Sequence, residues 1–230
     1  MGGALIFSVY SRLERTHRML AITKEQIAKL PVAEFPGRSI VINSELDCRK
    51  AVRYLMTQPL LGFDTETRPS FRKGHVNKVA LLQVSTTEEC FLFRLNRIGF
   101  PQDLVDLFES DEIMKIGLST KDDMHQLGRI AEFTPRNVME LQTFVKDYGV
   151  ADNSLQKVYA VIFNERISKG QRLSNWEAES LTAPQQAYAS LDAYACLHIY
   201  NHLKSGEFDP EASPYQVVDE PSAESAATKA

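Results

Sequence analysis

The sequence predicts a mixed three-layer α/β domain, and three observations carry that prediction. Apolar runs of strand length occupy residues 60–66, 79–85 and 89–93, separated by short polar connections. Strands this close together read as an antiparallel meander. From residue 113 onward, extended and helical patterns alternate, as they do where crossovers join parallel strands. The apolar part of the chain then closes in one long helical stretch, residues 184–203. A length of 230 residues suits a single such domain with extensions, and an apolar content of 43% supplies a core.

The elements follow in order. Thr23 with Gln26 forms a capping pair for a short helix ending near Leu30. Residues 39–43 are β-branched and extended, and Ser44 with Asp47 then opens a helix across residues 48–56. After the meander, with a tight turn at 86–88, Pro101 sits at the first turn of a helix through residue 108. Residues 113–118 read as a strand and 122–127 as the start of a helix. Residues 137–141 are extended before a further helix through Tyr148, and 154–163 are helical. A polar loop containing Lys169, Gly170 and Asn175 leads into the last helix.

Organisation and charge limit the function. The sequence divides into an N-terminal extension (1–22), a main domain (23–204) and an acidic, disordered tail (205–230) in which Tyr215-Gln216-Val217-Val218 can dock on the body. The tail carries six acids and one base; without it the formal charge of -4 becomes 25 basic against 24 acidic residues. A near-neutral body excludes an indiscriminate basic coat for nucleic acid. Cys48, Cys90 and Cys196 are widely spaced and match neither a disulfide framework nor a CxxC metal site, which places the chain in the reducing cytoplasm. The apolar patch at residues 4–9 is too short to span a bilayer. No membrane association is expected.

The chemistry concentrates in acids. Asp64 and Glu66 close the apolar run Leu60-Leu61-Gly62-Phe63. At i and i+2 on a strand they share a face, and like charges held together repel unless a cation joins them. Asp123, beside Asp122, opens a helix, where a carboxylate also serves as a cap. Tyr188 and Asp192 stand four apart on the last helix and share its face. Oxygen donors without a His/Cys cluster suit Mg²⁺ or Mn²⁺ rather than zinc. Such sites serve phosphoryl transfer, in which paired ions activate a water and neutralise the leaving oxygen. A phenol with a pKa near 10 positions that water more readily than it deprotonates it.

Three motifs in order, each on the expected element, give a specific resemblance. They are Phe63-Asp64-Thr65-Glu66-Thr67 followed by Val79-Ala80-Leu81-Leu82-Gln83, then the segment from Lys115 through Asp123 to Leu127, then Tyr188-Ala189-Ser190-Leu191-Asp192 preceded by Lys169, Trp176, Leu181 and Gln185. Over residues 23–203 the chain resembles the DEDDy branch of the DEDD exonucleases. That branch includes ribonuclease D, the proofreading domain of family A DNA polymerases and the Werner exonuclease. The resemblance implies an RNase H-like (DnaQ-like) fold with a mixed, mostly five-stranded sheet flanked by helices. It also implies two Mg²⁺ or Mn²⁺ ions held by Asp64, Glu66, Asp123 and Asp192, a water oriented by Tyr188, and release of nucleoside 5′-monophosphates from a single-stranded or frayed 3′ end of DNA or RNA. Many relatives have His where this chain has Leu118, a change that bears on substrate contact or packing.

Other polar residues are candidates for substrate contact. Thr67 falls, by the resemblance, near the terminal sugar. Arg68, Arg72, Lys73, His75 and Lys78 follow the acidic strand, and Arg166, Lys169 and Arg172 precede the last helix; each set is either a solvated face or a phosphate clamp. Phe71 is a candidate to stack on a base, and Trp176 is either a second such platform or a packing anchor for its loop. His198 and His202 lack an HExxH context and read as packing residues, while Glu140 is an accessory acid or a surface residue. Two other function classes share these features: a nucleic-acid-binding module that has lost hydrolysis, and a phosphatase acting on small nucleotides.

Overall fold

The computed structural model describes residues 19–70, 74 and 77–217. Phe71, Arg72, Lys73 and His75, the apolar patch at 4–9 and the acids beyond Val217 lie outside the described residues.

The elements form where capping and periodicity place them. β1 (Met19–Leu20) leads into α1 (Lys24–Ile27), whose N-terminus is closed by reciprocal Thr23 and Gln26 hydrogen bonds of 2.9 and 3.2 Å. β2 (Arg38–Ile42) precedes α2 (Glu45–Leu55), capped by Ser44, which buries Cys48, Ala51, Val52 and Leu55 along one stripe. β3 (Leu60–Thr67), β4 (Val79–Ser85) and β5 (Glu89–Phe93) form the antiparallel meander. After α3 (Leu95–Ile98) and α4 (Gln102–Glu109), β6 (Met114–Gly117) leads into α5 (Thr120–Leu127). β7 (Val138–Glu140) is followed by α6 (Leu141–Phe144), which tightens into a 3-10 turn at Val145–Tyr148 instead of continuing as one helix. α7 (Leu155–Phe163), α8 (Ala183–Ser205) and β8 (Gln216–Val217) are the last elements among the described residues.

Among the described residues the main sheet has six strands, in the order β2-β5-β4-β3-β6-β7. Around the meander, β2 lies parallel to β5, β6 parallel to β3, and β7 parallel to β6. The mixed sheet flanked by helices is the one expected, with one strand more than the five that the resemblance implies; β7 falls within residues 137–141, read from the sequence as extended.

Helices cover both faces. On one, α2 and α4 pack on Leu61, Phe63, Leu82, Val84 and Phe93, with Phe63 and Phe108 edge to face at 5.5 Å. On the other, α7 and α8 bury Val158, Leu191, Ala195 and Leu197 against Ile116. α8 crosses β3 at Gly62, where a Cβ atom would lie 2.1 Å from the Ala193 carbonyl oxygen. Only glycine permits that approach.

The packed body extends past the limits drawn from sequence at 23 and 204. Leu20 and Ile22 are buried, β1 pairs with β8, and Tyr215 is buried with its hydroxyl donating to Asn164 Oδ1 at 2.7 Å. Two-residue strands carry no periodic signal, although Tyr215, Gln216 and Val217 do dock as their composition suggested. Among the described residues no helix is long and apolar enough to cross a membrane.

Candidate metal centre and active site

The site grows from β3. Strand alternation turns Gly62, Asp64 and Glu66 toward α8, and Leu61, Phe63 and Thr65 toward the opposite layer. Pairing between β3 and β6 ends at Gly62 and Ile116. Beyond that point the two parallel strands part, and Asp64 and Glu66 stand at the crevice outside their carboxyl ends, where open α/β sheets bind ligands. α5 begins three residues after β6 and carries Asp123 into the same crevice. α8, held close by Gly62, brings in Asp192 from the far side.

Asp64, Glu66 and Asp192 each offer a carboxylate oxygen within 4.8 Å of the others. Such crowding is costly, and the acidities record it. Burial, then the charges of Asp192, Asp123 and Glu66, push Asp64 well above the usual carboxylate range, against a backbone hydrogen bond at Thr65. Burial raises Glu66 to about 9, with Asp192 adding repulsion and Arg172 opposing it. Burial raises Asp192 to about 7, opposed by a hydrogen bond from Tyr188. Asp192 is only 5% exposed, and its Oδ1 is buried without a hydrogen-bond partner. An all-oxygen donor set, mutual repulsion and an orphaned anionic oxygen together fit a hard divalent cation.

Asp123 stands apart from this trio. Its Oδ1 accepts a 2.5 Å hydrogen bond from Thr65 Oγ1, the residue between Asp64 and Glu66. Burial raises its carboxyl to about 6, with the Thr65 bond opposing and Glu140 and Asp122 contributing repulsion. Asp122 is exposed, so of the two adjacent acids Asp123 faces the site. Glu140 is half-buried, and both of its oxygens are engaged. Its two oxygens accept from Ser119 N (3.1 Å), Thr120 N (2.7 Å), Thr120 Oγ1 (2.9 Å) and Gln142 N (2.9 Å). One carboxylate thus fastens the N-termini of α5 and α6 and holds Ser119 in its left-handed conformation at φ 66°.

Tyr188 borders the trio. Burial, then Asp192 and Glu66, raise its phenol far beyond its ordinary value, so it is a neutral hydrogen-bond donor at physiological pH. Its ring lies 6.1 Å from that of Trp176, which has no exposed surface. Trp176 is therefore the packing anchor of its loop and presents no face to a base.

A cavity of about 380 Å³ opens over the acids, lined in part by Leu118, Lys169, Arg172 and Tyr188. Of the other expected contacts, Lys169 reaches this cavity, whereas Thr67, Arg68 and Lys78 are not among its walls. Thr67 follows an irregularity in the β3 register, Arg68 pairs with Glu177 at 3.2 Å, and Lys78 is exposed before β4. His198 stacks on Phe163 at 4.2 Å and His202 contacts Glu207 at 3.3 Å, consistent with packing roles.

The sequence motifs assign no role to Gly62 or Thr65, give Arg172 no more weight than its neighbours, and leave Glu140 open between an accessory acid and a surface residue. Gly62 had a detectable signal, since glycine inside an apolar strand marks a close backbone approach. Thr65 was visible only as the spacer between two acids. Nothing in the sequence ties Glu140 to residues 119 and 120.

A six-stranded mixed sheet with acids gathered outside the ends of its parallel strands defines a DnaQ-like exonuclease domain. The chain belongs to the 3′–5′ exonuclease family, whose sequence profile matches residues 40–206. It is 31% identical over 190 residues to the mouse bifunctional 3′–5′ exonuclease/ATP-dependent helicase WRN, covering 76% of this chain and 13% of that protein. It is 28% identical to an Arabidopsis thaliana 3′–5′ exonuclease, covering 82% of this chain and 71% of the relative. It is 33% identical to Drosophila melanogaster exonuclease 3′–5′ domain-containing protein 2, covering 73% and 30%. The chain thus spans only a minor part of two of these relatives. The fold matches the exonuclease domain of Aedes aegypti Nibbler (TM-score 0.67, 19% identity, 78% of this chain and 96% of that one). It also matches Escherichia coli RNase D (TM-score 0.67, 18% identity, 76% and 46%). The protein is a 3′–5′ exonuclease domain with an acidic candidate metal site.

Proposed function

We propose that the chain is a metal-dependent exonuclease of the DEDDy type, hydrolysing a single-stranded or frayed 3′ end of DNA or RNA to nucleoside 5′-monophosphates. The observation that carries this reading is the convergence of Asp64, Glu66 and Asp192 within 4.8 Å. Those three would hold one Mg²⁺ or Mn²⁺ ion, and Asp64 with Asp123 a second. When bound, such ions activate a water at neutral pH and offset charge on the phosphate and the leaving oxygen.

The chain's own residues account for the remainder. Tyr188, kept neutral by its surroundings, donates a hydrogen bond and orients the attacking water; it does not act as the base. Arg172 and Lys169, on the walls of the acidic cavity, supply the local positive charge that the near-neutral body lacks and hold the phosphates. Trp176 fixes the Tyr188 ring from behind. Three buried, unpaired cysteines suit a reducing compartment, the cytoplasm.

The test is hydrolysis of end-labelled DNA and RNA oligonucleotides of matched 3′ sequence, with Mg²⁺, Mn²⁺ or a chelator, and chromatographic identification of the product. Metal-dependent release of 5′-mononucleotides, abolished by Asp64→Asn, is expected. Binding without turnover in either metal points to a module that has lost hydrolysis. Turnover confined to free nucleotides points to a phosphatase.

A further inference from the structure

We infer that Thr65 is a positioning residue for Asp123, fixing the carboxylate that completes the second metal site; this rests on the two-metal reading above. The argument begins with strand geometry. Asp64 and Glu66 point toward α8, so the residue between them points the other way. In most strands that position packs into the core, as Phe63 does two residues earlier. Here it is a hydroxyl, and its 2.5 Å hydrogen bond runs to Asp123 Oδ1.

Asp123 needs such a partner because its helix is fixed but its side chain is not. The α5 N-terminus is fastened by the Glu140 carboxylate through Ser119 N, Thr120 N and Thr120 Oγ1, so the backbone beneath Asp123 has little freedom. What remains is rotation of the Asp123 side chain, and Asp123 is the one acid of the set that lies outside the trio. A donor on one oxygen holds the carboxylate in a single rotamer and leaves the other oxygen to meet a cation. Because the hydroxyl is neutral, the carboxylate keeps its full charge. The Thr-centred triplet therefore addresses both sides of the sheet: its outer members join α8, and its central member secures α5.

The experiment is Mn²⁺ titration of the full chain, followed by electron paramagnetic resonance and calorimetry, for wild type, Thr65→Val and Thr65→Ser. Valine keeps the shape and removes the donor; serine keeps the donor. Wild type is expected to bind two ions. Thr65→Val should leave one affinity unchanged and weaken the other about 10- to 100-fold, the usual cost of losing a partner that orients a metal ligand. Thr65→Ser should restore it to within about threefold, against that same scale. Wild-type affinities at both sites in Thr65→Val, or a serine variant as impaired as the valine one, would overturn the assignment. Should Thr65→Val fail to fold, Thr65→Ala is read in the same titration, and unfolding of both would show a structural role and overturn it equally. Binding of a single ion by wild type would instead overturn the two-metal reading.

Discussion

Asp192→Asn offers a test that needs no substrate. In the metal-free protein Asp192 is almost fully buried, and its carboxyl is raised from 3.8 to about 7. At pH 8 the folded state holds it ionised at a cost, while the unfolded state does not. Three units at 1.36 kcal/mol each set an upper limit of about 4 kcal/mol. Asp64 and Glu66 also relax when the third charge is removed, so the limit is shared among the trio, and about 2 kcal/mol is a reasonable expectation. For a domain of this size that raises Tm by about 4–8 °C. The sign follows from proton counts. Between the two pKa values the folded wild type binds more protons than the unfolded chain, so its stability falls as pH rises. The advantage of the variant is thus absent below about pH 4, grows through that window and is complete above about pH 7. Saturating Mn²⁺ should reverse the order: at a hundredfold excess over Kd, wild type gains about 2.7 kcal/mol, and the variant gains little. Differential scanning fluorimetry of wild type and variant at several pH values, with chelator or with Mn²⁺, reads both effects. A variant less stable than wild type in chelator at pH 8, or one retaining the full Mn²⁺ shift, would refute the reasoning.

Three further outcomes follow from the same geometry. Gly62→Ala places a methyl 2.1 Å from the Ala193 carbonyl oxygen, so α8 must move off β3; a loss of about 1–3 kcal/mol in urea denaturation, with a weakened Mn²⁺ response, is expected. Tyr188→Phe should lower kcat about 10- to 100-fold, as misplacing a reacting group does, while Mn²⁺ affinity measured by calorimetry stays near wild type. Lys115 is fully buried, its ammonium donates to the Ser110 carbonyl at 2.7 Å, and burial lowers its pKa from 10.5 to about 8. The unfolded chain binds more protons between those values, so this residue makes stability rise with pH from about 8 to 10.5, by up to about 3 kcal/mol. Urea denaturation of Lys115→Met across that range should show the slope reduced, and an unchanged slope would exclude the assignment.

What the sequence disclosed follows from the range of the interactions involved. The bounds of Val79–Ser85 and Glu89–Phe93 were readable because their apolar runs end in turn residues, and the caps at Thr23 and Ser44 marked helix starts. Asp64, Glu66 and Asp192 were readable as a set because the motifs name residue types at fixed spacing. Contacts made only in three dimensions stayed hidden. The Thr65–Asp123 bond and the Glu140 clamp each join segments far apart in the chain, and no local pattern encodes them. Trp176 illustrates the converse limit, since aromatic composition alone does not say whether a ring meets solvent or the back of Tyr188.

The crossing of α8 over Gly62 also has a temporal side. Asp64 and Glu66 emerge during synthesis well before Asp192, which lies on the last long helix among the described residues, so the acidic trio cannot assemble until nearly the whole of the packed body has left the ribosome. A nascent or truncated chain lacking that helix holds the first two acids in the open, without the third ligand or Tyr188. Under the proposed mechanism, hydrolytic capability is therefore a late event of folding, and an incomplete product would be inert toward the nucleic acids around it.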